Sequence, residues 1–181
     1  MAIIKINTAS DARKLLLALV ALAHKASKLP IPYPPVRATT TPTGVQFDVT
    51  QGQLAFEIKV DNAGADREGV LLFSADQIKA LAATLAATDK RPWFDLWSAL
   101  KGAHAPGPDW YFPPFERVLE LTRAEPAVDW ACFDLALLDQ VKGVLALSTS
   151  IPPARILLRS VNKGVIVEAG PVRGVVMGCY R

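Results

Sequence analysis

The stretch VRATTTPTGVQFDVTQGQLAFEIKV, at residues 36–60, decides the fold class of this chain. Apolar and polar residues alternate through three runs, 36–41, 45–50 and 53–60, with the period of a half-buried strand. The short sequences PTG and QG, which favour turns, separate these runs. We therefore predict three antiparallel strands joined as a meander.

Helical and further strand patterns flank this meander. Residues 2–7 predict an opening strand, and Ser10 is placed to cap a helix that runs to about residue 27. Residues 70–73 predict another strand, and a second helix with one apolar face follows at 75–87. Strands joined by short turns beside a few helices predict an α+β fold, in which helices pack on one face of antiparallel sheets.

The C-terminal part repeats this order in a weaker form. An apolar helix is predicted from 133 to about 147, after a polar connector that follows Val118. Strands are then predicted at 154–160, 165–169 and 172–179, with Gly-containing turns between them.

Three segments are expected to make one compact domain. Residues 1–87 form a first strand–helix–meander unit with its second helix, and residues 112–181 form a second, degenerate unit. Residues 88–111 are rich in Trp, Pro and Gly and form an irregular connector with at most one short helix, at 94–101.

Composition indicates a folded protein and leaves its partners open. Of the 181 residues, 51% are hydrophobic and 20% are charged, which excludes global disorder. The net charge of +3 is too small to indicate a nucleic-acid coat by itself. Residues 151–181 carry five basic residues against the single acid Glu168. A basic surface and an ordinary solvated strand face both fit this region.

Two observations favour a cytoplasmic protein with no membrane partner. Cys132 and Cys179 lie among apolar neighbours, which is typical of buried free thiols in a reducing compartment. The apolar run at 15–23 is too short to span a bilayer and has basic residues on both sides. The strand-like residues before it also differ from the charged start of a secretory signal.

Motifs for enzyme chemistry are missing from the sequence. There is no phosphate-binding G-x-x-x-x-G-K-[ST] sequence, no G-x-G-x-x-G sequence and no G-x-S-x-G nucleophile elbow. His24 and His104 are isolated, and no cysteine or histidine pair has the spacing of metal ligands. We expect no enzymatic activity, no cofactor and no metal site.

The first predicted helix has one basic side. At 100° per residue, Lys14, Lys25 and Lys28 lie within roughly 60° of one another, while leucines cover the opposite side. This stripe fits either a solvated surface or contact with phosphate.

Two short phrases resemble the bacterial DNA polymerase sliding clamps, the beta-subunit family. Residues 112–119 read FPPFERVL, where these clamps carry F-P-x-[YF]-x-R-V-[IL] at the start of their last domain. Residues 175–177 read VVM, where the clamps end in V-[IV]-M-P-M-R. The order of strand, amphipathic helix, Pro-rich segment and meander also resembles the first half of a clamp domain. The chain is therefore similar to a compact, divergent clamp, with a length that suits a phage homologue.

The resemblance implies a peptide groove and a DNA-contacting helix. In the clamps, the two phrases border a hydrophobic groove that accepts short peptides from polymerases, the clamp loader and repair proteins. The corresponding groove residues here are Pro113, Arg117, Val118, Val175 and Met177. Clamp helices meet the DNA backbone through basic side chains, and the corresponding candidates here are Arg13, Lys14, Lys25 and Lys28.

The chain also departs from the clamp pattern. Residues 178–180 read GCY in place of Pro-Met-Arg, which affects the floor of the groove. Full-length clamps have three domains, whereas this chain has length for about one and a half. The number of subunits and the formation of a closed ring therefore stay open.

The predicted function is a non-enzymatic, sliding-clamp-like processivity factor. It would form a homo-oligomer, contact duplex DNA without reading its sequence, and dock peptide motifs of DNA polymerase or the clamp loader. The alternative is an interaction module of the clamp fold, or a modulator of a host replication protein, that does not encircle DNA.

Two further readings are weaker. A nucleic-acid-binding domain would stack bases on Trp93, Trp97 and Trp110, although tryptophans at helical spacing more often form a buried face. Residues 53–56, QLAF, resemble a clamp-binding peptide, but their flanks predict an internal strand that cannot dock elsewhere.

Overall fold

The protein is described from a computed structural model. The residues that the structure describes are 4–7, 17–20, 22–23, 36–41, 43–50, 54–61, 63–65, 69–73, 77, 80–81, 83, 93–95, 112, 115–127, 139, 157–161 and 164–177. The strands in this part of the chain are β1 (Ile4–Asn7), β2 (Val36–Thr41), β3 (Gly44–Thr50), β4 (Leu54–Asp61), β5 (Ala63–Ala65), β6 (Gly69–Phe73), β7 (Trp93–Asp95), β8 (Leu157–Val161), β9 (Gly164–Ala169) and β10 (Val172–Met177). One helix is described over its full length, α1 (Phe115–Arg123).

Seven strands form one antiparallel sheet in the order β6-β2-β3-β4-β10-β9-β8. The predicted meander is confirmed as β2, β3 and β4, with bounds within a residue of those expected. The strands of the N-terminal part meet those of the C-terminal part where β4 pairs with β10. Residues 54–56 of the QLAF segment thus lie in a central strand, as predicted.

A smaller antiparallel sheet has the order β5-β1-β7. The opening strand β1 was predicted, but its two partners were not. Ala63–Ala65 lies between the strands predicted at 53–60 and 70–73, and its small residues have almost no strand signal. Trp93–Asp95 overlaps the short helix predicted at 94–101, and there the prediction is wrong. Pairing with β1 overrides the local preference.

The face of the large sheet that carries Phe47, Phe56 and Val176 is called the core face. Its side chains form the main hydrophobic cluster with the buried Leu19 and Leu22. Residues 17–20 and 22–23 are helical, in agreement with the first predicted helix. Helical residues also occur at 77, 80–81 and 83, within the second predicted helix. None of the helical segments in the described part of the chain has the length and hydropathy of a membrane span.

The aromatic packing on the core face requires a glycine. Gly174 is the register partner of Phe56 across β10 and β4. A Cβ atom at this position would lie 2.2 Å from Cε1 of the Phe56 ring, too close for any side chain. The ring therefore fills the space that a residue larger than glycine would need.

The helix α1 corrects the prediction of a polar connector after Val118. Phe115, Leu119 and Thr122 recur at helical spacing and are all buried. Glu116 in the first turn and Arg123 in the last turn complement the helix dipole. This helix packs against the face of the sheet opposite the core face, which we call the α1 face. The α+β fold is confirmed, and α1 adds cover on a second face.

Candidate functional site

Strand alternation divides the C-terminal phrase between the two faces of the sheet. Val172 and Val176 belong to the main cluster on the core face. Arg173, Val175 and Met177 alternate with them and point to the α1 face. Val175 and Met177, the two predicted groove residues on β10, therefore lie on the same side as α1.

A second hydrophobic cluster lies between α1 and the sheet. Phe115 and Leu119 of α1 are its buried members from the helix. The buried members from the sheet, one from each of three neighbouring strands, are Ala55, Ile166 and Val175. Val118 and Met177 are partly buried and pack against this cluster. The apolar patch under α1 is formed by these seven residues.

The structure brings three of the five predicted groove residues into this patch. Val175 is 0% exposed, so it forms the floor and offers no surface to a ligand. Val118 and Met177 keep part of their surface accessible at the edge. Arg117 is exposed on α1, next to Val118 in the chain. Pro113 lies outside the described residues.

A row of charged residues crosses the α1 face beside the patch. On five neighbouring strands, the register places opposite one another Arg37, Asp48, Glu57, Arg173 and Glu168. We call these five residues the charge row. Basic and acidic members alternate except at its centre, where two acids are cross-strand neighbours. Each of these two acids has an arginine on its other side.

The first arginine of the row neutralises a fully buried acid. Arg37 Nε donates a hydrogen bond to Asp48 Oδ2 at 2.8 Å, and Asp48 is 0% exposed. Gln46 Nε2 donates to the other carboxylate oxygen, Oδ1, at 3.0 Å. The Arg37 guanidinium also lies over the ring of Phe112, 5.0 Å from its centroid. Phe112, the first residue of the predicted groove phrase, is therefore part of the α1 face.

The second arginine contacts two acids and an aromatic ring. Arg173 Nε donates to Glu57 Oε1 at 2.8 Å, and Arg173 Nη2 donates to Glu116 of α1. The guanidinium carbon lies 5.6 Å from the centroid of the Phe115 ring. Partial burial acts to lower the pKa of Arg173, but hydrogen bonds and charge attraction from Glu116 and Glu57 outweigh it and raise the pKa. Arg173 therefore stays charged at any physiological pH.

Arg173 stabilises the buried negative charge of Glu57. The carboxylate is 1% exposed, and its Oε2 atom has no hydrogen-bond partner in the part of the chain that the structure describes. Lys59 Nζ lies 3.5 Å from Oε1, but its side chain is largely exposed. A buried carboxylate is costly without a paired cation. The contact with Arg173 therefore offsets most of the desolvation cost of Glu57.

The predicted DNA contacts lie outside the part of the chain that the structure describes. These are Arg13, Lys14, Lys25 and Lys28. Of the described residues between them, Leu19 and Leu22 are buried as the predicted apolar side requires. In the basic C-terminal region, Arg173 is engaged by two carboxylates and so is not a free cation for phosphate.

Other candidate chemistry adds little within the described ranges. Trp93 begins β7, while Trp97, Trp110, Cys132 and Cys179 lie outside the described residues. No group of three or more His, Cys, Asp or Glu side chains there is arranged to hold a metal ion.

The fold is similar to that of solved bacterial sliding clamps. The DNA polymerase III beta subunit of Thermotoga maritima is 12% identical with a TM-score of 0.62, over 98% of this chain and 64% of that one. The DNA polymerase sliding clamp of Pseudomonas aeruginosa is 12% identical with a TM-score of 0.62, and the match covers 99% of this chain and 67% of that one. The sliding clamp of Bartonella birtlesii, solved with griselimycin bound, is 9% identical with a TM-score of 0.60. That match covers 100% of this chain and 66% of the clamp.

Sequence comparisons detect no such relationship. No family model matches the chain, and no curated protein matches it. At 9–12% identity, the structural likeness shows the sliding-clamp fold. The chain spans about two thirds of the length of these clamps.

Proposed function

We propose that this chain, which has the sliding-clamp fold, is a non-enzymatic, clamp-like processivity factor. It contacts the backbone of duplex DNA without reading sequence, and it docks replication proteins through a peptide groove at the edge of α1. It works in the cytoplasm as a homo-oligomer. The observation that carries the proposal is the meeting of Val118, Val175 and Met177 in the apolar patch under α1, although the first two are 57 positions apart in the sequence.

The chemistry of this edge suits a short peptide with apolar side chains. Val118 and Met177 offer partly accessible apolar surface, and methionine adapts its shape to different partners. Arg117 adds an exposed cation and hydrogen-bond donors beside them. A peptide with two large apolar side chains and a glutamine would bury the former and place the latter near the donors.

Peptide binding by defined variants tests the groove. A fluorescently labelled peptide with a glutamine and two large apolar residues is titrated with the wild-type protein, Met177→Asp and Arg117→Ala. We expect Met177→Asp to weaken binding by about tenfold or more, because a carboxylate replaces apolar contact surface. Arg117→Ala should have a smaller effect.

A matched control uses the same helix. Leu121 is 63% exposed on α1 and is not part of the apolar patch. Leu121→Asp should therefore bind the peptide as the wild type does. Unchanged affinity of Met177→Asp, or equal losses in Met177→Asp and Leu121→Asp, would rule out the proposed groove.

DNA contact is tested by its dependence on salt. Replacing Arg13, Lys14, Lys25 and Lys28 with glutamine removes up to four phosphate contacts, which should reduce the log–log salt slope of duplex binding by about three to four. Lys59→Gln removes an exposed cation from the α1 face and serves as the control. An equal slope for the fourfold variant and the control would contradict the DNA assignment.

The encircling form of the proposal requires a closed oligomer. Gel filtration with light scattering measures the subunit number directly. A defined oligomer supports a ring, whereas a strict monomer excludes the encircling form of the proposal. The second candidate is then an interaction module or modulator of a host replication protein. The engagement of Arg173 by two carboxylates favours this candidate, since it removes one cation from the C-terminal basic region.

A further inference from the structure

The helix α1 is too short to hold its place by itself. It has nine residues, and isolated helices of that length are marginal in water. Its position must therefore come from contacts with the sheet. The apolar patch supplies non-directional attraction, which leaves small shifts and rotations of the helix weakly restrained.

Arg173 supplies a directional contact at the start of this helix. Its backbone lies in β10, its Nε binds Glu57 of the neighbouring strand β4, and its Nη2 binds Glu116 in the first turn of α1. The same guanidinium lies near the ring of Phe115, the first residue of α1. One side chain thus joins two central strands to the N-terminal turn of the helix.

We propose that Arg173 is a positioning residue for the groove at the edge of α1. The next residues after Glu116 are Arg117 and Val118, which belong to the proposed groove. The contact between Arg173 and Glu116 therefore sets where these two residues lie relative to Met177, at the other end of the same strand. The ligand part of this proposal rests on the proposed function, while the helix part does not.

The geometry requires an arginine at this position. Two different nitrogens of one planar group reach Glu57 and Glu116. A lysine has a single nitrogen on a flexible stem and does not reproduce this fixed fork. Arg173→Lys therefore keeps a cation beside the buried Glu57 and gives up the defined contact with α1. Arg173→Met would instead leave the buried Glu57 with only the largely exposed Lys59 as a neighbouring cation, which threatens the whole fold.

Glu116→Gln is the first test, because it alters the helix end of the contact and leaves the pair of Arg173 and Glu57 in place. Hydrogen exchange of the amides at 119–123 is measured in the wild type, Glu116→Gln and Arg173→Lys. We expect both variants to exchange about three- to tenfold faster, since they weaken a charge-assisted hydrogen bond with one partly buried partner. The midpoint of global denaturation of Glu116→Gln should stay at the wild-type value.

Glu120→Gln is the matched control. It removes the same charge from the exposed side of the same helix, and within the described residues Glu120 forms no ion pair. Its exchange should match the wild type. The labelled peptide should bind Glu116→Gln and Arg173→Lys about three- to tenfold more weakly, in step with the exchange, and bind Glu120→Gln normally.

The outcomes separate this proposal from the proposed function. Faster exchange with weaker peptide binding in both variants supports it. Unchanged exchange in both variants overturns it, and so does faster exchange with wild-type affinity. If the wild type binds no peptide, the proposed function fails, and the exchange measurement still decides whether Arg173 positions α1.

Discussion

The two faces of the seven-stranded sheet are built differently. On the core face, an almost unbroken layer of apolar side chains, including Phe47, Phe56 and Val176, runs across the central strands. The α1 face has a small apolar patch under α1 and a charge row beside it. Apolar burial scales with area and has little directional preference, whereas paired charges require defined geometry. We infer that the core face supplies most of the stability and that the α1 face determines where α1 lies.

The largest expected effect is on the core face. Phe56 is 1% exposed, and Phe56→Ala should lower the free energy of unfolding by about 3–5 kcal/mol, because it leaves a cavity beside Gly174. Urea denaturation measures this loss. Val70→Ala is the control on an edge strand, where partial exposure limits the loss to about 1 kcal/mol or less. Similar losses in both variants would contradict the assigned roles of the two positions.

The apolar patch should show the next largest effect. Leu119 is 0% exposed under α1, and Leu119→Ala should cost about 2–4 kcal/mol of unfolding free energy. Leu121→Ala, on the exposed side of the same helix, should change stability by less than about 0.5 kcal/mol. Thermal and urea denaturation provide the comparison. Equal effects at 119 and 121 would mean that α1 is not packed on the sheet through this patch.

In the charge row, replacing an arginine should lower the free energy of unfolding more than replacing the acid with which it pairs. Arg37→Met leaves the fully buried Asp48 with Gln46 as its hydrogen-bond donor, and should cost about 2–3 kcal/mol. Asp48→Asn should cost about 1 kcal/mol less, since the Arg37 side chain is 22% exposed and can be solvated. Urea denaturation of both variants at one pH measures the difference. The reverse order of stability would contradict this account of the row.

The smallest expected effect is at the exposed end of α1. Arg123 Nη2 lies 2.8 Å from Glu168 Oε1, and both side chains are substantially exposed. Breaking this pair with Arg123→Glu should cost about 0.3–1 kcal/mol at low salt. The double variant Arg123→Glu, Glu168→Arg should recover most of that loss. Absence of recovery, or a loss that does not shrink in high salt, would show that the pair has another role.

Much of the large sheet was predictable from local patterns. Alternation and turn residues define β2, β3 and β4 because every side chain of one parity faces the same core. The strand β5 carries no comparable signal, since its residues read Ala-Gly-Ala. The helix α1 has a clear helical period, since Phe115, Leu119 and Thr122 recur on one side of it. That signal could have found the helix.

The candidate site was predictable in part. The two phrases led to Val118, Val175 and Met177, which the fold brings together. Their separate environments could not be predicted, because alternation alone does not say that Val175 is covered by α1. For Arg173 the sequence leaves open a basic surface and a solvated strand face, and its pairing with Glu57, 116 residues away, follows only from the register of β10 with β4.

The α+β class and the meander follow from the sequence, because they depend on local periodicity and turn chemistry. The position of α1 on the second face, the burial of Glu57 and the contact of Arg173 with both Glu57 and α1 are seen only in the folded chain. Such contacts depend on which distant strands become neighbours. That choice comes from the packing of the whole sheet, and no local pattern records it.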